Sequence, residues 1–338
     1  MNNKCTYIIL ILSTLLLFFT GCKGDDNVEI NTRHVEVVFS PQGVGDQGYF
    51  DKILSELQRA STQYGYTLAI HIPTNKEQGA DIYKNWCNSQ LDDIYNKSIF
   101  IFAGGEYEYL LDSITLPDDS RKDVLMFETD KMVEGIYTFR ISSYAASYLA
   151  GAASILDYEE SKLNAFIIAA NPYDKVLKSA IDGYRDGYMA AGGDRYKVHY
   201  LSNEAEKGYD MQDDAYKTCV ENIGKYTSHF SAAGASNKGV HRFSREYMEF
   251  IVGMDDIESS VMSVMPFSIV KHTDKAINNI LGSLFRNEYV PYHQNFTYSS
   301  GYEELVFKSY FTPESIAGFS QLKDNIIEIE KKYEETNK

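Results

Sequence analysis

The stretch VEVVFSPQGVGDQGYFDKILSELQRASTQYGYTLAIHI, residues 35–72, sets the pattern for the rest of the chain. A run of β-branched residues predicts a strand over Val35–Phe39, and the helical spacing of apolar residues predicts a helix over Tyr49–Tyr64. A second strand is predicted over Thr67–Ile72. Two strands joined through a helix form a parallel βαβ unit, so this stretch predicts an α/β fold.

The same unit recurs along the sequence. Further strands are predicted at Ser98–Phe102, Asp123–Glu128, Ala165–Ala169, Lys197–Leu201, His229–Ala232 and Phe250–Gly253, and further helices at Gly79–Ile94, Ser143–Leu156, Lys175–Ala191, Asp210–Ile223, Gly239–Tyr247, Lys271–Arg286 and Leu322–Lys338. The strands fall into two groups, and the sequence changes character near residues 137–143. We therefore expect two doubly wound parallel-sheet lobes with a hinge in that region: residues 34–139 plus about 253–290 in lobe one, and 140–252 plus about 291–338 in lobe two.

Composition excludes several classes of protein. The 338 residues are 44% hydrophobic and 24% charged, as in ordinary globular proteins, and not as in disordered or collagen-like chains. The formal net charge is −16, and nucleic acid is therefore not expected as a partner, because phosphate binding requires a basic surface. The chain carries 27 tyrosines and 18 phenylalanines, and surfaces rich in tyrosine often contact ligands.

The N-terminus predicts export and a lipid anchor. Residues 1–21 contain a short apolar run that ends at small residues, as in a signal peptide. Phe19–Thr20–Gly21–Cys22 resembles the bacterial lipobox, in which the cysteine is lipidated, and residues 22–33 then form a polar tether. We expect a protein anchored to the cell envelope, periplasmic or surface-exposed. Cys87 and Cys219 lack metal or redox spacing and are interpreted as small buried residues.

One motif raises the question of a cofactor. Residues 43–48, GVGDQG, satisfy the dinucleotide-binding pattern and lie between a predicted strand and helix. However, Ser40–Pro41–Gln42 separate the strand from the first glycine, and the next strand ends without the acid that binds a ribose in that fold. We predict that these glycines let the loop approach another ligand. The sequence contains no phosphate-binding loop, nucleophile elbow or zinc motif, so no cofactor or metal is predicted.

Acidic and aromatic residues follow several predicted strands. They are Asp46, Tyr49, Phe50, Glu106, Tyr107, Asp130, Asp255 and Asp256. The carboxyl ends of parallel strands line the ligand crevice of a doubly wound sheet, so we expect these side chains to meet there. Carboxylates accept hydrogen bonds from hydroxyls and amines, and aromatic faces stack on rings. The predicted ligand is therefore neutral or cationic.

Five motifs are similar to those of the basic membrane protein family, the nucleoside-binding lipoproteins of ABC transporters. They are GVGDQGYF at 43–50, SYLAGAA at 147–153, GYRDG at 183–187, VGMD at 252–255 and SIVKHTDKA at 268–276. The resemblance implies a periplasmic-binding-protein type I-like fold hinged around a central cleft. It also implies that Asp46 holds the base edge of a nucleoside, Tyr49 stacks on its ring, Asp130 lines the cleft, and Asp255 and Lys271 bind ribose hydroxyls.

The sequence also departs from the family pattern. Phe50 replaces a polar residue, and Ala169–Ala170 and residues 233–236 replace glycine-rich turns. We predict a solute-binding protein without enzymatic activity, which captures a small ligand, in the first place a nucleoside, and delivers it to an ABC permease. One alternative is a surface binding or signalling module on the same fold without a transporter. Another is a nucleoside or glycoside hydrolase using Asp255 and Asp256, which is disfavoured because adjacent residues at a strand end point in opposite directions.

Overall fold

The computed structural model describes residues 32–41, 43–156, 164–254, 263–308 and 318–337. The predicted leader, the lipidation site Cys22, most of the tether, and the predicted ligand residue Asp255 lie outside the described residues. None of the helices in the described ranges is both long and apolar enough to cross a membrane.

The described strands form two six-stranded sheets. The first sheet contains β1 (Thr32–Val38), β2 (Tyr66–His71), β3 (Tyr95–Phe102), β4 (Lys122–Phe127), β5 (Ile136–Ile141) and β11 (His293–Phe296) in the order β11-β5-β4-β3-β1-β2. The second sheet contains β6 (Asn164–Ala169), β7 (Arg195–Tyr200), β8 (Ser228–Ala232), β9 (Ile251–Met254), β10 (Phe267–Lys271) and β12 (Glu303–Phe307) in the order β12-β10-β9-β8-β6-β7. All neighbouring strands are parallel except β10 and β12, which are antiparallel.

Helices connect the strands of both sheets. They are α1 (Tyr49–Tyr64), α2 (Lys76–Asn88), α3 (Tyr144–Leu156), α4 (Lys175–Ala190), α5 (Gln212–Glu221), α6 (Asn237–Tyr247), α7 (Thr273–Phe285) and α8 (Phe319–Thr336), with a 3₁₀ segment at Gly105–Asp112. We call each sheet with its packed helices a lobe. The two-lobed, doubly wound α/β architecture predicted from the sequence is confirmed.

The opening unit shows why the sequence folds in this way. Val35 and Val37 of β1 are fully buried in the hydrophobic cluster that contains α1, whereas Val38 belongs to a second cluster on the other face. A parallel sheet covered on both faces requires such a nearly continuous apolar strand. On α1, Ile53 and Leu57 are buried one turn apart, and Gly65 ends the helix with a φ of 67°, a conformation that favours glycine.

Two strands in the last third of the chain belong to the opposite lobe from the one predicted from the sequence. β10, which lies within the segment expected in lobe one, pairs with β9 and β12 in the second sheet. β11, which was expected in lobe two, extends the first sheet beside β5. The described chain therefore passes between the sheets three times: after β5, after β10, and between β11 and β12. Cys87 on α2 and Cys219 on α5 are free thiols in different lobes.

Candidate functional site

A cleft of about 530 Å³ lies between the lobes. It is lined by loops and helix starts at the carboxyl ends of both sheets, including residues 46–50, 104–106, 173–177, 205–207 and 233–235. This volume is within the range of small-molecule sites. Of the sequence-predicted site residues, Asp46, Tyr49, Phe50, Glu106 and Lys271 line the cleft.

Asp130 is placed elsewhere. It does not belong to the residues that line the cleft; its half-exposed carboxylate forms an ion pair with Arg140, at 2.9 Å. The acid that enters the cleft from the same turn is Glu128, two residues earlier, which the sequence analysis did not select. Asp255 lies outside the described residues, although Met254 immediately before it lines the cleft.

Asp46 organises the loop that leads into α1. Its carboxylate accepts hydrogen bonds from the backbone amides of Gly48 (2.9 Å), Phe50 (3.0 Å) and Asp51 (3.2 Å). Burial raises the pKa of Asp46, and these amides partly offset that rise. Asp51 in turn accepts from the amides of Gly45 and Gln47. Asp46 thus fixes the shape of the cleft wall through its backbone contacts.

Aromatic rings form the wall beside this loop. The rings of Tyr49 and Phe50 meet edge to face with their centroids 5.1 Å apart, and Phe50 packs in the same way on buried Phe39. The ammonium group of Lys271 lies 5.8 Å from the centre of the Tyr49 ring. This wall offers ring faces and edges to a ligand.

Two glutamates form the acidic floor of the cleft, Glu106 after β3 and Glu128 after β4. Burial raises the pKa of Glu106 to about 7. The two glycines before Glu106 leave room for the chain segments of the two glutamates to lie close together. A Cβ at Gly104 would lie 2.2 Å from Glu106 Oε2, and one at Gly105 would lie 2.6 Å from the Glu128 carbonyl oxygen. Glu128 has a φ of 55°, so the strand ends there in a left-handed turn.

A buried ion pair joins the lobes at this floor. Lys271 Nζ at the end of β10 lies 3.1 Å from Glu128 Oε1, and the two side chains are 3% and 5% exposed. Glu303, paired with Lys271 in the β10–β12 register, is also buried, and burial raises its pKa well above its ordinary value. Lys271 therefore forms an ion pair with Glu128, and its charge also lowers the pKa of Glu303.

Lobe two contributes a polar network that the sequence analysis missed. Asp174 caps α4 by accepting from the amides of Val176 and Leu177, and its second oxygen accepts from the Tyr209 hydroxyl at 2.6 Å. Asn171, Tyr173 and His241 line the same side of the cleft. The available signal was weak: Asn171 and Asp174 simply follow the predicted strand at 165–169.

Lysine side chains cross the mouth of the cleft. Lys76 of lobe one pairs with Glu206 of lobe two at 2.5 Å, and Lys175 of lobe two pairs with Glu108 of lobe one at 2.9 Å. Lys238 donates to the carbonyl oxygen of Gly45 at 2.7 Å. These three contacts connect the two lobes at the mouth of the cleft.

The two six-stranded sheets with a cleft between them form a periplasmic-binding-protein type I-like fold. Solved structures that share it include the following three. A solute-binding protein of an ABC transporter system from Aeropyrum pernix K1 is 15% identical, with 88% of this chain and 92% of that chain covered and a TM-score of 0.69. A transcriptional activator of the comK gene from Bacillus halodurans is 16% identical, with 87% and 97% covered and a TM-score of 0.67.

The third is GanP, a glucose-galactose binding protein from Geobacillus stearothermophilus, which is 14% identical, with 82% of this chain and 97% of that chain covered and a TM-score of 0.58. No protein-family model matches the chain, and no curated protein matches it either. Similarity at these identities establishes the fold; the ligand has to be inferred from the site itself.

Proposed function

We propose that this protein is a lipid-anchored solute-binding protein that captures a small neutral or cationic ligand between its lobes and delivers it to an ABC permease. The observation that carries the proposal is the cleft of about 530 Å³, which both lobes line and three lysines bridge at its mouth. Two of the similar structures are described as transporter or sugar-binding proteins, which supports a binding role. A nucleoside, implied by the family resemblance, is the first ligand to test.

A ligand screen tests the binding role. We expect one or more members of a panel of nucleosides, sugars, amino acids and polyamines to raise the melting temperature of the chain from position 22 onward, carrying Cys22→Ser. A ligand at 100 times its Kd stabilises the folded state by about 2.7 kcal/mol. Tyr49→Ala should weaken that shift, whereas Tyr289→Ala, which alters a tyrosine that is 90% exposed, should retain it. A panel without any shift would contradict the proposed binding role.

The proposed lipid anchor has its own test. We expect the full-length protein, expressed in a bacterium grown with radiolabelled palmitate, to incorporate the label and the Cys22→Ser variant to incorporate none. A single substitution removes the acyl chains on which membrane binding depends. Cys219→Ser is the control, because this buried thiol lies within lobe two. Label incorporation that survives Cys22→Ser would contradict lipidation at this residue.

A second candidate is a surface or signalling module that uses the same fold without a permease. The similarity to a transcriptional activator favours it, because the same clamp there belongs to a regulator. The two candidates differ in what ligand binding achieves: uptake of a labelled ligand by cells should depend on the protein only if it serves a transporter. Turnover of a nucleoside or glycoside by the purified chain would instead favour the hydrolase alternative.

A further inference from the structure

Two buried oxygen atoms at the floor of the cleft have no hydrogen-bond partner among the described residues. They are Oε1 of Glu106 and Oε2 of Glu128. Both residues line the cleft, and the Glu128 side chain is only 5% exposed. A buried carboxylate oxygen without a donor is costly, so the floor is suited to a ligand group that supplies donors.

The lysines of the cleft are already engaged elsewhere. Four lysines line the cleft, and each has a partner other than Glu106: Lys175 with Glu108, Lys207 with Glu204, Lys238 with the carbonyl oxygen of Gly45, and Lys271 with Glu128. The charges that act on Glu106 from lobe two, Asp174 and Glu206, are negative and add to the effect of burial in raising its pKa. Glu106 accepts a hydrogen bond from the Ser40 side chain, and none of the four lysines that line the cleft forms an ion pair with it.

We propose that the cleft selects a small organic cation, whose ammonium or guanidinium group donates hydrogen bonds to Glu106 Oε1 and Glu128 Oε2. This inference rests on the proposed solute-binding function and narrows its ligand class. Ammonium and guanidinium groups have donors only, and hydrogen bonds between ionised partners are about twice as strong as neutral ones. The rings of Tyr49 and Phe50 beside the floor provide cation–π contacts for the same group.

The pH dependence of binding follows from the charge on Glu106. Because a cation binds the ionised carboxylate, and because the Glu106 pKa is about 7, the binding-competent form rises about tenfold between pH 6 and pH 8. Aliphatic amines stay protonated over this range, since their pKa resembles that of lysine, about 10.4. Affinity for the cation should therefore increase with pH by about tenfold across this window.

The test is calorimetry on the chain from position 22 onward, carrying Cys22→Ser, with matched probes. The cations are 1,4-diaminobutane, spermidine and agmatine; the neutral probes are 1,4-butanediol, adenosine and glucose. We expect at least one cation to bind, and to bind more tightly at pH 8 than at pH 6, while 1,4-butanediol does not bind. Glu106→Gln should lower the affinity at pH 8 at least tenfold and remove the pH dependence. Asp112→Asn, which removes an exposed charge from the same 3₁₀ segment, should do neither.

Each other result has a defined meaning. Binding of a neutral probe without binding of any cation would overturn this inference and leave the proposed binding function intact. No binding of any probe would contradict both. A cation that binds Glu106→Gln as tightly as the unmodified chain would show that the floor is not its site. If Glu106→Gln fails to fold, as judged by circular dichroism, Glu106→Asp serves instead, because it keeps the charge and withdraws it from the cleft by one methylene.

Discussion

We expect Lys271→Met to lower the free energy of unfolding by about 3–5 kcal/mol, the cost of removing one partner of a buried ion pair. The Lys271 ammonium lies 3.1 Å from Glu128 Oε1, and both side chains are almost completely buried. Methionine keeps an unbranched side chain, one atom shorter than that of lysine, and leaves the Glu128 carboxylate buried without its cation. Lys271 also lowers the pKa of buried Glu303, so its loss affects a second carboxyl group. Urea unfolding at pH 7 measures the change.

A second substitution separates charge from packing in this experiment. The double variant Lys271→Met/Glu128→Gln also removes the carboxylate that Lys271 pairs with, so we expect part of the lost stability to return; the effect of losing Lys271 on buried Glu303 remains. Lys175→Met is the matched control, because its ion pair with Glu108 is at the cleft mouth and Lys175 is 72% exposed; its effect should be much smaller. If Lys271→Met were as stable as the unmodified chain, the pair would not hold the lobes together.

Local sequence signals predicted the central elements well. Helix α1 spans Tyr49–Tyr64 as expected, because its apolar residues repeat at helical spacing and Gly65 ends it. The missed strands are those whose stability depends on distant partners. β11 is the tetrapeptide HQNF, which has no apolar alternation, and it is a strand because it pairs with β5, more than 150 residues away in sequence. No local pattern contains that information.

The sequence predicted only part of the site, because some of its residues are brought together by distant parts of the chain. The rule that side chains at strand ends line the cleft located Asp46, Tyr49, Phe50 and Glu106, and the family resemblance located Lys271.

The rule selected Asp130 in place of Glu128, because the left-handed turn at Glu128 ends the regular alternation of the strand. Beyond that turn, Asp130 pairs with Arg140, and Glu128 carries the charge at the floor. The Asp174–Tyr209 network joins two loops, and only the tertiary structure brings them together.

The motifs that carry the family resemblance have a structural explanation in lobe two. Gly151 lies at the end of the SYLAG motif on α3, and Gly183 and Gly187 frame the GYRDG motif on α4. A Cβ at Gly151 would lie 2.0 Å from the Tyr184 carbonyl oxygen, and one at Gly187 would lie 1.9 Å from that of Tyr148. The two motifs therefore pack against each other backbone to backbone, away from the cleft. They specify the fold and leave the ligand open.

Because α3 and α4 are in such close contact, we expect replacement of Gly187 to destabilise the protein, although helix propensity alone would predict stabilisation. On an exposed helix surface, replacing glycine with alanine stabilises by about 1 kcal/mol. We expect Gly187→Ala to lower the free energy of unfolding by about 1–3 kcal/mol, and Gly187→Val to lower it further, because the added carbon must separate α3 from α4. Urea unfolding measures both, with Met189→Ala on the exposed face of α4 as the control.

The sign of the Gly187→Ala effect decides between packing and propensity. A gain in stability would mean that the helices part without cost, and that the glycines are not required for their contact. A loss in stability with unchanged ligand affinity of the folded variant is the expected result, because Gly187 contacts α3 and does not line the cleft. In that case the SYLAG and GYRDG motifs are required for the contact between α3 and α4. Ligand specificity then depends on other residues, the side chains at the floor of the cleft.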